Sequence, residues 1–258
     1  DLNGIFADFS TALNINSNTI QALVTGGGTA YGIQSHFFSG TASVYKNKIY
    51  GIANNGASGV VNGMNFGNAT STATNTLNIY NNLIGDLSAP SSSGNNQVNG
   101  ISLTGIAANT YNVYYNSVYL NAAGGANFGT AALLANTTPT VNLRNNLLVN
   151  LSTPSGTGRT TAYQRSSTTL STYSLNSNNN LFYAGTPGAT NLIYYDGTNA
   201  DQTLAAFKAR VSLRDVSSVT ENPTFLSTTG SNANFLHIDA SVPTQVESGA
   251  NNISGYTD

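Results

Sequence analysis

The sequence has no cysteine and no tryptophan, only six prolines in 258 residues, and charge on just 7% of them. Without cysteine, disulfides, thiol chemistry and thiolate-held metals are excluded, although that absence does not fix the compartment. Eight Lys and Arg stand against ten Asp and Glu, for a net charge of -2. So few bases cannot cluster into a surface that holds a phosphate backbone, which removes nucleic acid as a partner. No apolar run approaches the roughly 18 residues that cross a bilayer, so no membrane span is expected. The first residue is Asp1 rather than Met, which reads as a processed or excised piece.

Scarce charge and abundant Asn, Ser, Thr and Gly would suit a disordered chain, except that disordered chains also lack aromatics. Here 40% of residues are hydrophobic, with 14 Tyr and 10 Phe. A core can form.

One short pattern recurs: apolar, polar, apolar, two variable residues, Asn, one more, apolar. It is clear in Leu13–Ile20 (LNINSNTI), Leu77–Ile84, Tyr111–Val118 and Val141–Leu148, varied in Ala42–Ile49, and degenerate in Tyr173–Asn180. The shared residue falls at Asn18, Asn47, Asn82, Asn116, Asn146 and Asn178, at successive gaps of 29, 35, 34, 30 and 32. A second marker keeps step with it. A small residue followed by a larger one occurs at Gly4-Ile5, Gly32-Ile33, Gly63-Met64, Gly100-Ile101, Ala132-Leu133 and Ala162-Tyr163, 14 to 19 residues before each Asn.

Alternation over four to eight residues is a half-buried strand. About 32 residues hold three short strands and their bends, so one repeat is one coil. A lone coil cannot bury its apolar face, and stacking supplies the core. The expectation is an all-β, right-handed parallel β-helix of about six coils over residues 1–200, closed by a capping region with degenerate last coils over 201–258. Inward columns should run through Ile15, Val44, Ile79, Val113, Leu143 and Leu175, and through Ile20, Ile49, Ile84, Val118 and Leu148. The Asn column is read as structural, because Asn tolerates left-handed bends and stacked amides can bond along the axis. Loops at Val24–Thr29, Asn54–Gly59, Ala89–Asn96, Ala122–Asn127 and Thr153–Thr161 should emerge along one side.

Periodicity changes after residue 200. Asp201–Val211 places Leu204, Phe207 and Val211 at helical spacing, with Asp201 as a candidate N-cap. A short helix here would cover the open solenoid end. Extended pieces follow at Asn222–Leu226 (NPTFL) and Asn234–Ile238 (NFLHI).

Taken together, the NG-I starts, the strand Asn112–Val118 (NVYYNSV), and the order helix, NPTF, NFLHI, then Glu247–Ala250 (ESGA) resemble the secreted parallel β-helix repeat proteins of Bacteroidota-type bacteria. The resemblance spans essentially the whole chain. It implies an extracellular or cell-surface bacterial protein, similar to cargo of the type IX secretion system, with flanking domains in the same polypeptide.

Catalytic chemistry finds little support. Polysaccharide-cleaving enzymes built on this architecture need paired carboxylates, or acidic metal ligands with a base. Up to residue 160 the only acids are Asp1, Asp8 and Asp86, at unlike positions in different coils. His36 and His237 are the only histidines, and no nucleophile-elbow, zinc or phosphate-loop motif occurs. No catalytic residue, cofactor or metal is assigned. The leading expectation is a non-enzymatic structural or adhesive module whose partners are polysaccharide or cell-surface components. Tyr45, Tyr80, Tyr114 and Tyr115 are the candidates to stack on sugar rings, beside amides that bond hydroxyls. The same tyrosines could instead pack only against neighbouring coils. A carbohydrate-active enzyme on the same scaffold is the alternative. A third reading, ice binding, rests on the alternating Thr70, Thr72, Thr74 and Thr76, which other coils do not match.

Overall fold

The computed structural model describes residues 1–67, 74–247 and 249–256. Thr70 and Thr72 of the threonine row lie outside these residues. The chain winds into a β-solenoid of about six turns. Strands one turn apart pair in parallel, building three principal sheets that run along the rod. The first sheet contains Leu2–Phe6, Thr29–Ser35, Val60–Phe66, Val98–Leu103, Thr130–Ala135, Thr160–Arg165 and Asn191–Tyr195. The second stacks Asn14–Asn16, Thr41–Tyr45, Asn75–Tyr80, Asn109–Tyr114 and Thr140–Arg144. The third begins at Thr19–Ile20 and ends at Leu181–Tyr183.

Register follows the repeat. Ile15, Val44, Ile79, Val113 and Leu143 are successive partners in the second sheet. Ile20, Ile49, Ile84, Val118, Leu148 and Phe182 are partners in the third. Both columns are buried. Leu175 does not belong to the first: it is 62% exposed. The sixth turn pairs Val141 with Tyr173 but Arg144 with Asn178, so five steps answer three. Two extra residues bulge out between Ser174 and Ser177 and carry Leu175 into solvent.

The small-residue marker is a packing device. Gly4, Gly32, Gly63, Gly100, Ala132 and Ala162 stack in one column of the first sheet. A Cβ on Gly63 would lie 2.5 Å from Ile84 Cγ2 and 2.6 Å from the carbonyl oxygen of Gly100. The close approach of the sheets requires the missing side chain. The loops also stack: Gly125 donates to Ser92 O at 2.8 Å, and Thr153 to Ala122 O at 2.8 Å.

At the C-terminal end, helix Leu204–Val211 lays Phe207 and Val211 on the core. The Phe207 ring contacts those of Tyr163, Phe182 and Tyr194. Thr203, not Asp201, is the N-cap, its hydroxyl accepting from Ala206 N at 3.3 Å. Asp201 is the last residue of a strand paired with Tyr194, and its carboxylate instead holds Arg210 through Nε at 2.6 Å and Nη2 at 2.7 Å. From there the chain does more than cap. Val219 pairs with Leu181 as a partial further turn. The remainder returns along the flank of the rod as far as the second turn, where Lys48 Nζ donates to Asn232 O at 2.7 Å. No helix among the described residues is long and apolar enough to cross a membrane.

Candidate functional site

Three polar columns run down the flank where the second sheet turns into the third. The innermost is the Asn ladder. Asn18, Asn47, Asn82, Asn116 and Asn146 are axial neighbours, and each gives its backbone N–H and Nδ2 to the Oδ1 of the next rung at 2.8–3.2 Å. Each Nδ2 from Asn47 onward also reaches back to a carbonyl of the preceding turn: Ile15, Val44, Ile79 and Val113 in order. The sixth rung is Asn180, not Asn178, which receives both bonds from Asn146 at 3.0 Å. The two inserted residues of the sixth turn shift the ladder position by the same amount. Asn178 faces outward and accepts from Ser217 N at 2.7 Å.

The left-handed bend expected at the ladder residues falls one position earlier. Ser17, Lys46, Asn81, Tyr115, Asn145 and Asn179 have φ between 53° and 59°, while the ladder residues do not. The bend turns the chain so that the following amide points into the rod, where it bonds. A ladder Asn is selected for its paired donor and acceptor, not for its backbone tolerance.

The ladder terminates on an acid. Asn180 Nδ2 donates to Asp215 Oδ1 at 3.0 Å, and its N–H to Ser218 Oγ at 2.9 Å. Asp215 also accepts from Ser218 Oγ at 2.7 Å and from the Tyr173 hydroxyl. It is fully buried, and burial pushes its carboxyl above the usual carboxylate range despite those donors. A carboxyl with a raised folded pKa adds stability as pH falls through that pKa, with the full gain below the unfolded value of about 3.9. Denaturation of the native chain and of Asp215→Asn at pH 7 and pH 4 should show the native chain gaining on the variant at pH 4. A constant or opposite difference between the two pH values would remove Asp215 as the linked group.

Outside the ladder lie two outward-facing columns. Asn14, Ser43, Asn78, Asn112 and Asn142 form one, and Asn16, Tyr45, Tyr80, Tyr114 and Arg144 the other. Asn112 Nδ2 donates to Asn78 Oδ1 at 2.9 Å, Tyr114 OH to Asn112 Oδ1 at 3.0 Å, and Asn142 Nδ2 to Tyr114 OH at 2.6 Å. The sequence carries this second amide column as the polar residue between the two apolar ones, a signal that the ladder Asn obscured.

The four candidate tyrosines share this flank, where Tyr45, Tyr80 and Tyr114 meet other rings and Tyr115 is held by its hydroxyl. Tyr45 and Tyr80 stack on each other with centroids 4.7 Å apart and planes 3° from parallel. Tyr256 of the returning segment stands edge-on to both Tyr80 and Tyr114, 5.0 Å from each. Its hydroxyl donates to Asn78 Oδ1 at 2.9 Å. Tyr115 OH donates to Asn251 O at 2.7 Å and accepts from Ile253 N at 2.9 Å. Asn145 exchanges a pair of bonds with the backbone of Asn251, at 2.7 and 3.1 Å. Burial, then Tyr256, raises the Tyr114 phenol to about 12, against the lowering effect of Arg144. Between this flank and residues 217–250 lies a cleft of about 230 Å³, with Leu147, Leu181, Val219, Ile238 and Val246 among its walls.

The acids are dispersed. Asp8 meets His36, its Oδ2 3.5 Å from Nδ1, and the far ring nitrogen meets Gln34 Nε2 at 2.9 Å. An amide stands where an activated hydroxyl would be needed, so this pair orients a ring rather than primes a nucleophile. Asp196 accepts Thr198 N and Asn199 N across a tight turn, as a turn residue does. Glu221 holds Thr244 and Gln245. Among the described residues no three His, Asp or Glu side chains gather as metal ligands.

Comparison with protein-family models, with curated proteins and with solved structures found no match to this chain.

Proposed function

We propose that this chain is a non-enzymatic structural and adhesive module of a secreted or surface-exposed bacterial protein, touching saccharide through its amide-and-tyrosine flank. The Bacteroidota-type, type IX cargo-like resemblance of the repeat supports the location. The observation that carries the saccharide part is the seat of Tyr256. A six-membered ring bearing a hydroxyl rests on Tyr80 and Tyr114 with its hydroxyl on the Asn78 amide. A pyranose offers the same combination of a ring edge and hydroxyl donors. Neutral glycans fit better than charged ones, since Arg144 is the one charge in the outward columns.

Tyr256 then competes with the ligand. Glycan-array binding should be weak for the native chain and increase roughly tenfold for Tyr256→Ala, because the occupant contributes about 1–1.5 kcal/mol of aromatic contact. Adding Tyr80→Ala and Tyr114→Ala should abolish it. Background binding by the native chain and Tyr256→Ala alike would eliminate saccharide recognition on this flank.

A further inference from the structure

The two ends of the rod differ. At the C-terminal end the helix covers the core, and Asp215 and Ser218 absorb the last ladder donors. The N-terminal turn has no such closure among the described residues. Strand Leu2–Phe6 is the edge of its sheet, as are Asn14–Asn16 and Thr19–Ile20 of theirs. Among the described residues Asn18 Oδ1 accepts no bond, whereas Oδ1 of every later rung accepts two.

Side chains repeat the asymmetry. Phe9 stacks one face on Phe37 of the next turn, with centroids 4.7 Å apart, yet is 81% exposed. Phe6 is 54% and Val24 60% exposed on the same turn. The mouth of the core opens there as a cavity of about 330 Å³ walled by Gly4, Ile5, Asn18, Thr19, Ile20, Gln21 and Leu23. The acids nearby are engaged with the next turn: Asp1 accepts Thr29 N, and Asp8 holds His36 N.

We propose that this face is a docking surface for one further coil of the same repeat, running parallel to Leu2–Phe6 and preceding it in the same polypeptide. The chemistry of the occupant follows from the turn-to-turn interface below it. It places an Asn over Asn18, whose N–H and Nδ2 bond the open Oδ1. It places a Gly or Ala over Gly4, since a Cβ on Gly4 would itself lie 2.7 Å from Gly32 O. It brings an aromatic side chain onto the free face of Phe9, and apolar residues into the cavity. A parallel edge strand with this pattern satisfies the row of unpaired backbone groups that an edge presents.

Leu2 and Ala30 are register partners 28 residues apart, so a tandem copy of residues 1–28 fused before Asp1 supplies a coil of native length. This extended chain should melt on the order of 5 °C above the parent. Amides of Leu2–Phe6 in the original turn should exchange roughly tenfold more slowly. Asn18→Ala made only in the upstream copy should erase most of both gains. No change in melting or exchange would overturn the proposal. So would a parent chain that dimerises with concentration in sedimentation and is made monomeric by Phe9→Asp, since a second copy would then own the face.

Discussion

Asn116→Leu should lower the unfolding free energy by about 3–5 kcal/mol, the largest loss expected from any single polar side chain in the rod. Leucine nearly matches asparagine in size, so the effect is not a cavity. Asn116 is wholly buried. Its Oδ1 accepts the N–H and Nδ2 of Asn82, while its Nδ2 serves Ile79 O and Asn146 Oδ1. Removing it leaves buried donors on one side and buried acceptors on the other, at about 1–3 kcal/mol for each group left unsatisfied. Asn116→Asp separates the two halves. It keeps the acceptor for Asn82 but turns an oxygen toward Ile79 O and Asn146 Oδ1. The introduced carboxyl should be held above its unfolded pKa, so the deficit should be greatest near neutral pH and shrink as pH falls below about 5. Urea denaturation followed by circular dichroism measures both. A loss under about 1 kcal/mol for Asn116→Leu would reduce the ladder to a decoration of the bend.

Gly63→Val should be at least as damaging, at about 3 kcal/mol or more, through crowding rather than through lost bonds. The new Cβ would meet a side chain of the third sheet and a backbone oxygen of the next turn at once. Neither can give way, because Ile84 sits in the core column and Gly100 O belongs to a paired strand. Alanine stands in this column at Ala132 and Ala162, and Ile193 follows beneath the helix, so the restriction relaxes toward the C-terminal end. Gly27→Val is the control, since a Cβ on Gly27 meets nothing within 4 Å. It should change stability by less than about 0.5 kcal/mol. Equal effects at the two glycines would show that backbone entropy, not inter-sheet contact, governs the column.

Five of the six ladder positions are legible in the sequence because the strand and its bend form one rigid unit. The spacing from Leu13 to Asn18 recurs at Leu77 to Asn82 and Val141 to Asn146 whatever the loop lengths do. The sixth is missed because Ser174–Ser177 adds two residues inside that unit, and a nearby Asn stood where the ladder residue was expected. The outward direction of Tyr45, Tyr80 and Tyr114 follows from alternation alone. What covers them does not. Tyr256 and Asn78 are 178 residues apart, and the returning segment has no period from which its path could be read. Asp215 hides for a similar reason: a lone acid in a charged patch of sequence looks like surface until its burial against Tyr173 is seen.

The left-handed residue before each ladder position has an outcome for how this rod tolerates change. Register partners in the first sheet lie 28, 31, 37, 32, 30 and 31 residues apart, yet the following bend falls in line each time. Every turn is re-indexed at one corner, so a length error upstream is cancelled before it can propagate. Guest peptides spliced between the open Gly26 and Gly27 of the first turn's loop, where a Cβ at either glycine meets nothing within 4 Å, would therefore be displayed at a fixed height on the rod.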